Sequence, residues 1–188
     1  MAISSSPADF SIAQKVLHWL MAAAIILDLF VAQKFGGVME EWDRIESRSD
    51  HATLGTIVAM LFAIRLYLRL RHGAPALPMD LPKWQTGLAH AAHWALYGLM
   101  GLLIASGMAA AFNADSLISP FGLFSYGDGT GDAPTFLTVR LVHEFATNAI
   151  IALIILHAIA AVYHLAIKNH RSLTLRMLKF WQSGGQPS

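Results

Sequence analysis

LVHEFATNAIIALIILHAIAAVYHLAI, residues 141–167, decides the fold. Glu144 is its only charged side chain, and the stretch exceeds the about 20 apolar residues that carry a helix across the hydrocarbon core. A lone strand is excluded there, because lipid offers exposed backbone groups no partner. Within this apolar run stand His143, His157 and His164. His143 and His157 are fourteen residues apart. On a helix that spacing is about 21 Å along the axis, with directions differing by only about 40°. One face therefore presents two imidazoles at two depths.

Three earlier runs share the apolar character, so the expected spans are residues 12–35, 51–70, 87–112 and 141–167. The whole chain agrees: 55% of its 188 residues are hydrophobic and 13% charged, against about 25% charged in a soluble domain. Mean hydropathy is +0.50. Plausible helix starts are Asp9 or Ser11, then Asp50, Thr86, and Thr135 or Thr138. The first run reads as a retained helix and not a signal peptide, since its lead is not basic and it contains His18 and Asp28. The fold class is all-α: a four-transmembrane-helix bundle forming a single membrane domain over residues 1–188. Residues 113–138, rich in glycine and proline, read as an irregular loop. Net charge of +1 says nothing about partners, and no nucleic-acid partner is expected.

The connections differ in charge. Residues 69–83 carry Arg69, Arg71 and Lys83 against Asp80, and the tail carries Lys168, Arg171, Arg176 and Lys179 with no acid. Residues 34–50 carry five acids against three bases, and 114–138 three acids and no base. The excess of basic residues beside cytoplasmic ends of spans then puts both termini in the cytoplasm. The protein is expected to be multi-pass in its membrane, with the lipid bilayer as its first partner.

Ionisable groups inside a membrane are costly and mark function more often than packing. A single histidine is as readily a helix–helix hydrogen bond; the set is harder to explain that way. His51 enters the second span level with His143, and His18 lies roughly level with His157. Two pairs, each bridging two helices, are what two six-coordinate haem irons require. His93 competes with His18 on depth alone. The absence of cysteine excludes disulfides, thiolate-held clusters and covalent haem attachment. Zinc is the rival, but its ligands usually cluster at short spacing. Gly55, one turn from His51, would let a flat macrocycle approach the backbone. Arg65, on the His51 face at the cytoplasmic level, suits a haem propionate. Arg48 and Arg140 each precede an outer histidine by one turn. His90, His93 and His164 cluster near the cytoplasmic side, His72 and His170 are expected to be solvated, and Asp28 has no assigned role.

Taken in order, these residues resemble the bacterial cytochrome b561 family of small four-helix di-haem proteins. The likeness rests on Leu17-His18-Trp19-Leu20, His51-x-x-x-Gly55, Arg65-Leu-x-x-Arg69-Leu and Thr86-Gly-Leu-Ala-His90-x-x-His93 with Tyr97. It continues through His143-Glu144, Leu156-His157, Tyr163-His164 and Leu175-Arg176-Met177. The resemblance implies His18 paired with His157 and His51 with His143 as axial ligands of two haem b groups, choosing His18 over His93. It implies electron transfer with ubiquinone, and the family's best-defined bacterial activity is superoxide oxidase. Arg140 and Arg48 would then steer superoxide, and His90, His93 or His164 would line the quinone site. A relay or anchor subunit for a quinone-linked dehydrogenase or hydrogenase is the alternative, with a redox partner protein. Ala105-Ser106-Gly107 departs from the proline frequent there in the family, and is expected to alter a bend without touching a ligand.

Overall fold

Ser11 opens the first helix as anticipated. Its hydroxyl accepts the Gln14 N–H at 3.2 Å while Gln14 Oε1 accepts the Ser11 N–H at 3.0 Å, a reciprocal cap that satisfies two otherwise orphaned donors. The computed structural model describes residues 9–34, 40–77, 81–167 and 171–180. The expected end of the first span at Phe35 lies outside these residues, as do Asp80, Lys168 and His170. Five α-helices run through the described residues: α1 Ile12–Gln33, α2 Glu41–His72, α3 Lys83–Phe112, α4 Ala133–Ala166 and α5 Arg171–Leu178. The first four are long and apolar enough to cross a membrane.

Three helix starts differ from the expected ones. The second helix begins at Glu41 and not after Asp50. The third follows Pro82, which puts Thr86 one turn inside. The fourth is capped by Asp132, whose carboxylate accepts the Thr135 N–H at 2.9 Å, ahead of Thr135 and Thr138. That hydrogen bonding, from the Thr135 side chain and backbone, holds the Asp132 carboxyl below the usual carboxylate range. Hydropathy locates the lipid slab, but helical hydrogen bonding continues through polar residues beyond it. Glu41 and Asp43 in the first turn of α2, with Arg69, Arg71 and His72 in its last, complement the helix dipole at both ends. Gly73, at φ +67°, stops α2.

α1 lies along α2 and α3 along α4, giving two hairpins, with sparser backbone contact between them through α2 and α3. Val58, Met100 and Ile150 are buried where the hairpins meet, flanked by Ile25, Phe62 and Ile154. Many large apolar side chains stay exposed, among them Phe30, Phe145 and Val162. A contiguous apolar exterior of this kind is suited to lipid, not water.

The two ends of the bundle are finished differently. At the far end, residues 113–132 fold back on α2. The Ser119 and Phe121 N–H groups donate to Ser49 Oγ (3.1 Å) and Thr53 Oγ1 (2.9 Å), and the Tyr126 hydroxyl lies 2.9 Å from Thr56 Oγ1. Gly127, at φ +71°, brings its backbone so near Phe112 that a side chain would meet the Phe112 carbonyl. At the near end, α5 is held by Thr174 to the Ala161 carbonyl (2.8 Å) and by Arg176 to the Ala76 carbonyl (2.7 Å). Trp19 donates to the Met177 carbonyl at 3.0 Å, and the buried Lys15 ammonium to Asp9 (2.7 Å) and the Lys179 carbonyl (2.8 Å). This helix, of eight residues, was not anticipated. It is too short and too polar for a hydropathy search, and tertiary hydrogen bonds hold it.

Candidate functional site

At the far end α2 and α4 bring His51 and His143 together, with ring centroids 6.1 Å apart and planes at 82°. Toward the near end α1 and α4 bring together His18 and His157, at 6.4 Å and 74°. Both pairs cross between the two hairpins, where direct packing is thinnest. The two levels follow from the fourteen-residue spacing on α4.

The far-end rings are held at their inner nitrogens. His51 Nδ1 lies 2.7 Å from Asp28 Oδ1 on α1. His143 Nδ1 lies 3.0 Å from Ser106 Oγ on α3. The Ser106 proton is already given to the Leu102 carbonyl at 2.6 Å, so the hydroxyl oxygen accepts and His143 donates. The hydrogen-bond network thus assigns both rings the Nδ1–H form, in which Nε2 carries the lone pair that a metal would take. Gly107 completes the site, since a Cβ there would stand 3.0 Å from His143 Cε1. Residues 105–107, expected to touch none of the candidate ligands, therefore do meet one of them. Ser106 and Gly107 both meet His143, because α3 packs closely along α4. Asp28, which had no role in the sequence reading, partners His51.

Three imidazoles meet at the second level. His93 lies 5.5 Å from His157 in ring centroids, closer than His18, and its Nδ1–H donates to the Ala89 carbonyl at 2.6 Å. Arg65 reaches the same end, donating to the Gln14 carbonyl at 3.0 Å and hydrogen-bonding Tyr97. Gly55 sits one turn beyond His51, and a Cβ there would meet no protein atom within 4 Å. No protein contact thus demands a glycine at this position.

The other expected residues are more scattered. Arg140 is exposed and bound to Glu144 at 2.7 Å. Arg48 lies 3.8 Å from Asp115 and over the Phe136 ring at 5.6 Å. His90 is exposed one turn from His93. His164 is half-buried beside Tyr163, with centroids 5.6 Å apart.

These distances test whether the pairs fit a haem iron. A metal between two imidazoles puts their centroids roughly 6 Å apart, because each metal–nitrogen bond is about 2 Å and each ring centre lies about 1 Å behind its nitrogen. Both crossed pairs meet that separation. Among the described residues, no three histidine, aspartate or glutamate side chains are grouped to hold a metal ion among themselves. This disfavours zinc, which takes three or four protein ligands, and suits an iron that takes two axial ligands and four from its macrocycle.

Comparison with known proteins agrees. A probable superoxide oxidase CybB from Yersinia pestis is 25% identical over 169 residues, covering 90% of this chain and 95% of that protein. The sequence pattern of a family described as prokaryotic cytochrome b561 matches residues 9–179. The chain, with its four apolar helices and its crossed histidine pairs, belongs to the prokaryotic cytochrome b561 family of membrane haem proteins.

Proposed function

We propose that this chain is a di-haem b-type cytochrome that oxidises superoxide at its far end and reduces a ubiquinone-type quinone at its near end. The observation that carries this reading is the pair of histidine couples at two levels, each at the spacing an iron needs. His18 and His157 hold one haem, His51 and His143 the other. In balance, two superoxide anions become two molecules of dioxygen, and their two electrons with two protons convert quinone to quinol. Bound haem supplies the one-electron relay between the two ends.

The protein's own residues do the rest. The Nδ1 hydrogen bonds orient the far-end ligands, and Gly55 leaves room for a flat ring against α2. Arg65, amid the near-end histidines, is placed to pair with a carboxylate from that ring. His90, His93 and His164 are the proton-carrying candidates for the quinone site, since an imidazole can both take up and give a proton. The near end carries Arg69, Arg71, Lys83, Arg171 and Arg176, and the far end Glu40, Glu41, Asp115 and Asp128. That asymmetry supports a cytoplasmic near end, with both termini on the cytoplasmic side of a bacterial inner membrane.

His93→Ala separates ligand from neighbour. With His18 as the ligand, the variant keeps two haems per chain while quinone-dependent haem oxidation slows. Loss of one haem would give the iron to His93 instead.

Superoxide generated beside the purified protein should reduce the haem and yield quinol when quinone is present. Arg140→Gln should slow the reduction about twofold to tenfold, and added salt should lower the wild-type rate toward it. The modest size reflects Glu144, which already offsets much of the Arg140 charge. If superoxide leaves the haem oxidised while quinol reduces it, the chain is a quinol-side relay for a partner enzyme.

A further inference from the structure

Asp28 stands in the interior of an apolar helix, where a carboxylate is costly unless something needs it. Its side chain is 16% exposed, and Oδ1 lies 2.7 Å from Nδ1 of His51, itself 27% exposed. The opposing ring, His143, gives its Nδ1–H to a neutral hydroxyl, Ser106. The two histidines of this pair thus differ in the group that meets Nδ1: a carboxylate at hydrogen-bond distance for His51 and a hydroxyl for His143. An ordinary ion pair joining α1 to α2 would account for the contact but not for its place, directly behind the nitrogen opposite the metal-binding one.

We infer that Asp28 is a positioning residue that sets the reduction potential of the far-end haem through His51. The inference rests on the haem assignment proposed above. Accepting the Nδ1–H, the carboxylate draws the proton toward itself and gives the ring imidazolate character. A more basic ligand stabilises ferric over ferrous iron, and the low dielectric around the site strengthens the effect. The far-end haem is therefore held at lower potential than a neutral acceptor would leave it. Superoxide is a strong reductant, so entry of the electron tolerates this, and onward transfer toward the near end is favoured.

The test is a spectroelectrochemical titration of both haems in wild type, Asp28→Asn and Asp28→Glu. Asn keeps an acceptor but removes the charge. It should shift the far-end ferric–ferrous equilibrium at least tenfold toward ferrous, which is about 59 mV for a one-electron couple. The near-end haem should move less than twofold, and Glu should restore the far-end value to within about threefold. An unchanged far-end potential in Asp28→Asn, or equal shifts in both haems, overturns the inference. A second readout needs no variant. The near-infrared charge-transfer band of ferric low-spin haem moves to higher energy as a histidine ligand gains imidazolate character. In wild type the far-end band should lie above the near-end band in energy, and coincident bands overturn the inference even if Asp28→Asn fails to assemble. A chain that binds no haem sinks the earlier reading instead.

Discussion

On the proposed ligation, His143→Ala is expected to take the haem content from two per chain to one, removing the far-end component of the reduced-minus-oxidised spectrum and sparing the near-end one. Among the described residues, His143 is the ring set against His51. Its ring is 6.1 Å from His51, braced by Ser106, and its α4 companion His157 stands at the other level. His51→Ala should give the same spectrum, because either change leaves the iron with one axial ligand. Superoxide-driven quinol formation should fall to background in both variants, since its entry point is gone. The remaining haem should keep its spectrum, since its proposed ligands on α1 and α4 lie about 21 Å away along the helix. Pyridine haemochrome quantification with spectra of each variant checks this. Loss of the near-end component with the far-end one intact would refute the pairing.

The second large effect comes from a residue with no chemistry of its own. Gly107→Val should weaken or abolish far-end haem binding. A Cβ there stands 3.0 Å from His143 Cε1 and 3.4 Å from its Nδ1, and valine adds two methyl groups to that contact. Overpacking of this kind costs about 1–3 kcal/mol, which lowers haem affinity roughly five- to hundredfold if it falls on the liganding geometry. Valine is no worse than glycine inside a helix, so a lost far-end signal reports on His143 and not on α3. Haem titration of the variant, with the near-end spectrum as internal control, reads the effect. Unchanged far-end affinity would mean that His143 moves freely at this contact.

Much of the site was legible because helical periodicity is a rigid ruler. From His143 to His157 the spacing alone gives two depths on one face, and the structure sets a histidine from another helix against each. The competition between His18 and His93 was equally visible, and both rings do reach His157. The partners behind His51 and His143 were not legible. Asp28 is twenty-three residues from His51, and Ser106 is thirty-seven from His143. Neither pair follows a local period, so only the packing of α1 on α2 and of α3 on α4 brings them together. The glycine signal was present at residue 107 but was read as a bend. A tight approach by a neighbouring helix leaves the same small residue in the sequence.

The amino-acid order by itself determined the four membrane helices, their alternating direction, the charge difference between the ends and the two levels of imidazole. Those properties depend on composition and on distances along one chain, which lipid and helix geometry convert directly into depth. Tertiary structure alone decided how far α2, α3 and α4 extend beyond the apolar core, the docking of α5, and the carboxylate and hydroxyl behind His51 and His143. These depend on which faces of separate helices meet. Hydropathy is blind to that choice, because every face of an apolar helix satisfies lipid equally well, and only close packing and buried hydrogen bonds distinguish among them.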